Sequence, residues 1–276
     1  PVWSVLGVLN RIFLQKPLVY ICHNVLPHEV RWWDSLLAKG VLRWGTHFIV
    51  QSEEEERRLL SLSSRAQTVV APLPIFDMFA NGRVTKVEAR ARLGLPPAVP
   101  VLLFFGIVRE YKGLQDLLAA LPEIRAQLGK MVLLVAGEFW EDKRPYQEMI
   151  ERLAIDDSVI IDDRYIPNEE VPIYFSAADV LVAPYRRATG SAVIQMAVGN
   201  GCPVIATCVG NLAEVIQSNA SGLLVQPSDS HALAEVITTY FRDPARPSGK
   251  KGSGDDKLSR WEQLVTSIES VGPGCE

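Results

Sequence analysis

Val101-Leu102-Leu103-Phe104-Phe105-Gly106-Ile107-Val108-Arg109-Glu110-Tyr111-Lys112-Gly113, continued by Leu114-Gln115-Asp116-Leu117-Leu118, decides the fold. Five consecutive apolar residues read as a strand covered on both faces, the glycine permits a sharp turn, and the apolar spacing from Leu114 to Leu128 is helical. Together they make one βα unit, and the chain repeats it downstream. Strands are expected at Val101–Phe105, Met131–Ala136, Val159–Asp162, Asp179–Ala183, Pro203–Thr207 and Gly222–Val225. Helices are expected between and after them, at Leu114–Leu128, Pro145–Leu153, Glu169–Ser176, Ser191–Gly199, Leu212–Ser218 and His231–Phe241. Because most strands are apolar throughout, the prediction is a doubly wound parallel sheet with helices on both faces. Ligands bind such sheets at the carboxyl ends of the strands, which directs attention to the loops that follow them.

Upstream the same pattern is less complete. Leu18–Cys22, His47–Gln51 and Thr68–Ala71 read as strands, with helices at about Glu29–Arg43 and Glu53–Leu60. Val2–Leu14 reads as an amphipathic helix, too short for a membrane span, which needs about 18 to 20 apolar residues. The stretch 72–100, with Pro72, Pro74, Pro96, Pro97 and Pro100, is an interdomain connection carrying a short helix near Lys86–Leu93. Residues 244–256 form a polar loop before a last helix at about 258–270. The expected division is a partial first domain over 1–83, a second over 84–257, and a C-terminal helix and tail over 258–276 that can pack back on the first domain.

The net charge of −4 argues against a general nucleic-acid binder. The charge is uneven: residues 1–96 hold 12 Lys and Arg against 8 Asp and Glu, leaving −8 on the remainder. The basic first part suits an anionic surface such as phospholipid, or is an ordinary solvated surface. Trp32, Trp33, Leu36, Leu37, Val41 and Trp44, with Arg31, Lys39 and Arg43, would lie on one helix, either at a membrane interface or packed in a core. Cys22, Cys202, Cys208 and Cys275 show no CxxC pair or metal-ligand spacing, which suits a reduced cytoplasmic compartment.

Two loops carry the chemistry. In Gly106–Gly113 a glycine admits a ligand close to the backbone, and Arg109 and Lys112 can neutralise a diphosphate beside a helix start. The alternative is that the two cations decorate a surface loop. Tyr185-Arg186-Arg187-Ala188-Thr189-Gly190-Ser191-Ala192 follows another strand and opens the helix that holds Gln195. Its small residues offer backbone donors to an anion or a sugar oxygen, or simply cap the helix.

With these blocks goes the run Asp179-Val180-Leu181-Val182-Ala183-Pro184-Tyr185. Gly201-Cys202-Pro203-Val204-Ile205-Ala206-Thr207 follows, then Gly210, Glu214 and Gly222-Leu223-Leu224-Val225. In order and spacing they resemble family-four glycosyltransferases over nearly all of residues 15–270. The resemblance implies an α/β fold of GT-B type: two Rossmann-like domains, the C-terminal one complete here and the N-terminal one partial, with a cleft between them. It implies a retaining hexosyltransferase that uses a UDP- or GDP-linked sugar without a bound metal or other cofactor. The acceptor it implies is an unknown sugar, lipid-linked molecule or polysaccharide precursor, and with it cytoplasmic placement and peripheral contact with the inner face of the membrane. Arg109 and Lys112, beside Gly106, match the family's diphosphate cations, Tyr165 and Ile166 the region that cradles the base, and His23 the histidine that reaches the transferred sugar.

Two departures stand out. The family commonly places two glutamates eight positions apart across residues 185–199, and this chain has neither. Gln195 replaces the second, able to bond ribose hydroxyls through its amide, while Thr189, Gly190, Ser191 and Ala192 offer hydroxyls or backbone amides near the first. This resembles a Thr, Ser and Gln version found in bacterial branches of the family. The family also opens with a strand and a glycine-rich turn, and none precedes Pro1, so about two or three strands of the N-terminal domain are expected to lie outside this chain. A degenerate or truncated non-catalytic nucleotide-sugar-binding protein or subunit is the alternative. A phosphorylase should show a cofactor-lysine motif, absent here, and four histidines give little room for an epimerase.

Overall fold

The computed structural model describes residues 2–14, 16, 18–27, 31–74, 76, 84–218, 221–246, 262 and 264–269. The chain divides into two compact units, Pro1–Pro74 with Ser253–Glu276, and Ile75–Gly252. The boundary expected between 83 and 84 falls at the end of residues 77–83, which lie outside the described residues.

The first unit is built on a parallel sheet of β1 (Val19–Cys22), β2 (His47–Val50) and β3 (Gln67–Val70), in that spatial order. Its helices are α1 (Val2–Leu9), α2 (Asp34–Leu42) and α3 (Glu53–Leu62). Phe48, Val50, Leu42 and Leu59 form its small core. Helix α3 starts where Ser52 accepts the Glu55 amide, and four glutamates in its first turn suit the positive end of the helix dipole.

Two sequence expectations change here, and a third, the last helix, is only partly within the described residues. Helix α2 begins at Asp34, not near Glu29: the Asp34 carboxylate accepts the Arg31 amide at 2.6 Å, closing a turn that leaves Trp32 and Trp33 ahead of the helix. The stretch Val2–Leu14 is not one regular helix, because α1 passes into a wider π-type turn at Asn10–Leu14. Of the last helix, residues 262 and 264–269 are helical, and 258–261 and 270 lie outside the described residues, as does most of the loop before it.

The second unit contains α4 (Lys86–Arg92), β4 (Val101–Phe105), α5 (Leu114–Leu128), β5 (Val132–Ala136), α6 (Arg144–Arg152) and β6 (Val159–Asp162). It continues with α7 (Val171–Ala177), β7 (Val180–Ala183), α8 (Ala192–Asn200), β8 (Val204–Thr207), α9 (Leu212–Ser218), β9 (Gly222–Val225) and α10 (Ser230–Arg242). All six strands are parallel in the order β6-β5-β4-β7-β8-β9. Alternate residues of the central strands feed two separate cores: Val101, Leu103 and Leu181 pack with α4, α7 and α8, while Leu102, Phe104, Val180 and Val182 pack with α5, α6 and α10. Both faces of these strands are covered, as their unbroken apolar runs require, whereas edge strand β6 leaves Ile160 exposed.

One polar network inside this unit has no local sequence signal. Buried Arg90 donates to the carbonyls of Ala177 and Pro97 and to the Asp179 carboxylate, which also takes the Val101 amide at 2.8 Å and Lys86. It ties α4 to the amino ends of β4 and β7, at the opposite edge of the sheet from the loops that carry the candidate site.

Candidate functional site

The chain starts the sheet at β4, moves outward through β5 and β6, then returns to place β7 on the other side of β4. The order reverses between β4 and β7, and a crevice opens at the carboxyl ends of strands that flank such a switch. The two loops singled out in the sequence are the ones that follow β4 and β7.

They are joined at backbone level. Gly106 (φ +91°) turns the chain out of β4, and a single 3-10 turn at Glu110–Lys112 leads to Gly113 (φ +70°). At Gly113 the chain passes so close to the second loop that a Cβ would lie 2.0 Å from the Pro184 carbonyl oxygen. The Arg186 amide donates to the Tyr111 carbonyl at 2.7 Å, and the Arg186 guanidinium holds Asp116 with two hydrogen bonds of 2.7 and 2.9 Å. Arg186 is therefore a clamp between the loops, with its charge committed to Asp116.

Lys112 is 8% exposed. Its ammonium lies over the Gly106 backbone, where a Cβ would come within 3.2 Å of Nζ, and 5.8 Å from the Tyr185 ring centre. Burial, reinforced by the neighbouring Arg109 charge, pushes its pKa down to about 8. A cation held against its preference in this way gains from an arriving anion. Arg109 lies with its guanidinium 5.2 Å from the centre of the Trp140 ring, a stacking that fixes a long side chain while leaving its N–H edge free of the ring.

Loops further along the sheet are stitched to this pair. The Val108 amide donates to the Glu138 carbonyl at 2.8 Å, and the Glu110 amide to the Glu141 carboxylate at 2.8 Å. Gly137 (φ +137°) passes so close to Gly106 that a Cβ would sit 2.4 Å from its carbonyl oxygen. The Phe139 amide and the Lys143 ammonium both donate to Asp163, in the loop after β6. In that loop Tyr165 is 65% exposed, whereas the Ile166 side chain packs in the core, so Ile166 can offer a ligand only its main chain.

On the β7 side, Ser191 caps α8 by accepting the Ile194 amide at 3.3 Å, and its hydroxyl stands 3.4 Å from the Tyr185 hydroxyl. Thr189 is buried and Ala192 is exposed. Gln195 is 3% exposed, and its Oε1 has no hydrogen-bond partner. Gly190 abuts the side chain of Asn211, and the Asn211 backbone N–H donates to the Thr189 carbonyl at 3.3 Å. The structure thus brings Gly106, Arg109 and Lys112 into one cradle, and Thr189, Gly190, Ser191, Ala192 and Gln195 along the start of α8 beside it. Tyr165 and Ile166 sit at the far edge strand, with β5 between them and β4.

His23 belongs to the first unit, just past β1. It is exposed, and its Nδ1 stands 2.7 Å from the Gln51 amide nitrogen. His23 also lines a cavity of about 670 Å³ formed by residues 19–27 and the flank of α2, including Asp34 and Leu37. Burial pushes Cys22 up to about 11, with Glu55 adding to it, and burial pushes Cys202 up to about 12, so both thiols stay protonated and unreactive. Cys275 lies outside the described residues. Among the described residues no group of three or more His, Cys, Asp or Glu is placed to hold a metal ion, and no helix is long and apolar enough to cross a membrane.

Sequence reasoning missed Gly137, Trp140, Gln51 and Asn211. Gly137 carried a usable signal, since it ends a strand as Gly106 does. Asn211 adjoins a glycine already picked out by its spacing. Trp140 and Gln51 reach their partners only through tertiary contacts.

The family described as glycosyl transferases group 1 matches residues 99–243. D-inositol 3-phosphate glycosyltransferase 1 of Catenulispora acidiphila is 31% identical over 245 residues, covering 84% of this chain and 58% of the relative. D-inositol 3-phosphate glycosyltransferase of Streptomyces avermitilis is 36% identical over 221 residues, covering 74% and 46%. The chain therefore spans about half the length of the curated relatives it matches. Among solved structures, sucrose-phosphate synthase from Thermosynechococcus elongatus superposes with a TM-score of 0.80 at 25% identity, covering 98% of this chain and 71% of that one. The α/β fold is of the GT-B type, with Rossmann-like parallel sheets.

Proposed function

Because the chain belongs to the glycosyl transferases of group 1, we propose that its second unit binds a nucleotide-sugar donor. The protein of which this sequence is the whole or a part then moves that sugar to an acceptor with retention at the anomeric carbon. The observation that carries this reading is the buried Lys112 ammonium over the Gly106 backbone, with Arg109 fixed beside it, at the switch point of the sheet. As the glycosidic bond breaks, negative charge grows on the leaving diphosphate. Two preplaced cations stabilise that charge more than they stabilise the bound donor, which is what lowers the barrier. The same two charges take the place that a metal ion would occupy, so the donor is expected to bind without one.

Around the diphosphate, Ser191 and Ala192 offer the amino end of α8, and Thr189 and Gly190 border it. Gln195 takes a ribose hydroxyl on its unmet Oε1. The main chain at Tyr165 and Ile166 receives the base. For His23 the role proposed is the one the family resemblance implies, recognition of the transferred sugar. The relatives named for D-inositol 3-phosphate favour a polyol or sugar acceptor, lipid-linked or free.

The test is calorimetric titration with UDP, GDP, UDP-glucose and GDP-mannose in EDTA. Binding of one nucleotide family, unaffected by EDTA, is the expected result and selects the base. No heat with any of the four would discard the donor site and leave a non-catalytic member of the family.

We also infer that the first unit rests on an anionic lipid surface. Trp32, Leu36 and Leu37 near α2, and Ile12, Phe13 and Leu14 beyond α1, are large apolar side chains left in solvent. Arg31, Lys39 and Arg43 supply positive charge in the same stretch of chain. Sedimentation with phosphatidylglycerol vesicles is expected to carry the protein down at low salt, less at high salt, and less for Trp32→Ser/Leu36→Ser. Equal recovery in the supernatant with and without vesicles would remove the inference.

A further inference from the structure

Two side-chain acceptors beside the α8 loop are buried and have nothing to accept. One is Gln195 Oε1; the other is Asn211 Oδ1, in the turn between β8 and α9. A buried acceptor left unpaired forfeits its hydration without recompense, and most such groups in folded proteins are paired. Asn211 lies against Gly190, and Gln195 stands one helical turn after Ser191, its backbone amide donating to the Ser191 carbonyl. The Asn211 main chain is held firmly: its backbone N–H donates to the Thr189 carbonyl at 3.3 Å. The preceding Gly210 (φ +53°) runs so close to Ala188 that a Cβ would lie 2.1 Å from its carbonyl oxygen. The Asn211 carboxamide then faces Gly190, where a Cβ would meet Oδ1 at 3.4 Å, so the absent side chain at Gly190 leaves that oxygen turned toward the loop.

We propose that Asn211 is a specificity-determining residue of the donor site, accepting a hydroxyl of the donor's transferred sugar or its ribose on Oδ1. The inference rests on the nucleotide-sugar reading above and extends it to a residue that reading does not use. Its chemistry divides the ligand cleanly. Ionised phosphates carry no hydrogen to donate, so they belong with Lys112 and Arg109; an unmet carboxamide oxygen demands a donor, which only the hydroxyls and the base supply. The base is assigned to the loop after β6 at the sheet edge, away from Asn211, which follows β8 on the other side of β7. Hydroxyls remain.

The experiment compares wild type, Asn211→Ala and Asn211→Asp by calorimetry, using a nucleoside diphosphate and its sugar conjugate, UDP with UDP-glucose or GDP with GDP-mannose, whichever pair the wild type binds. Thermal melting of each variant checks the fold. Asn211→Ala is expected to weaken binding about five- to tenfold, the usual worth of one hydrogen bond. Loss confined to the sugar conjugate places the hydroxyl on the transferred sugar; equal loss for both ligands places it on the ribose. Asn211→Asp keeps an acceptor at the same place and is expected to recover the affinity that Asn211→Ala loses, for the sugar conjugate alone or for both ligands. A residue that only supported the turn would lower the melting temperature, and its loss of affinity would not be reversed by restoring an acceptor. Unchanged binding of both ligands to Asn211→Ala, or failure of Asn211→Asp to recover the lost affinity, overturns the proposal while the donor site stands. A wild type that binds neither pair removes the donor site itself and this inference with it.

Discussion

Gly113→Ala is expected to destabilise the second unit by about 3 kcal/mol or more, well above the common range for a surface substitution. Two effects add. The residue has φ +70°, and an L side chain in that region costs about 1–2 kcal/mol. The new Cβ would also lie 2.0 Å from the Pro184 carbonyl oxygen and 3.0 Å from its carbon. That neighbour is backbone, so relief requires moving either the end of β7 or the 3-10 turn, and both are pinned by Arg186. Urea denaturation measures the loss, with Gly94→Ala as the control: Gly94 has φ +64° but open space around it, so only the backbone strain should appear. Equal losses in the two variants would show that the loops separate freely. Because the same displacement would move Lys112, Gly113→Ala should also weaken donor binding in whatever fraction stays folded.

Lys112→Ala is expected to reduce donor affinity by about 1.5–3 kcal/mol, roughly ten- to 150-fold, the worth of a charge-assisted hydrogen bond lost without replacement. Arg109→Ala should act in the same direction. The pH dependence is the sharper test, because folding and binding respond with opposite signs. In the folded chain Lys112 loses its proton near pH 8, whereas in the unfolded chain it keeps it to about 10.4. Between those values the unfolded state binds more protons, so the Lys112 contribution to stability rises with pH across that window and is flat below it. Donor binding needs the charged amine. Above pH 8 the amine must be reprotonated to bind, so affinity for a nucleotide sugar should fall as pH rises. Taking wild type minus Lys112→Met isolates both slopes from the other titrating groups. A nucleotide-sugar affinity that stays level from pH 7 to 9.5 in the wild type would show that Lys112 does not meet the diphosphate.

The second unit was legible at the level of single elements. The strands and helices expected from residue 100 onward lie within about two residues of those observed, because apolar runs of four or five residues alternate there with amphipathic spans and glycines. The first unit read less well where a side chain overrode the pattern. The apolar spacing around Trp32 and Trp33 is helical, yet the Asp34 carboxylate takes the Arg31 amide and starts the helix later. In the site, Gly106, Arg109 and Lys112 stand within seven consecutive residues, so their chemistry shows in one short stretch. Asn211 and Trp140 belong to other loops and have no such local signature.

The repeating βα units, the glycine turns and the supply of cations and small residues at strand ends are legible in the chain, because backbone sterics and apolar period act over a few residues. The chain also carried enough spacing between its motifs to resemble one glycosyltransferase family. Long-range packing returns β7 to lie against β4, and this places Pro184 against Gly113, packs Tyr185 beside Lys112 and leaves the Lys112 side chain 8% exposed. That neighbourhood, and with it the lowered pKa and the unmet acceptors of Gln195 and Asn211, depends on which distant segments exclude solvent together. Burial of this kind is a property of the assembled sheet, and no local run of residues contains it.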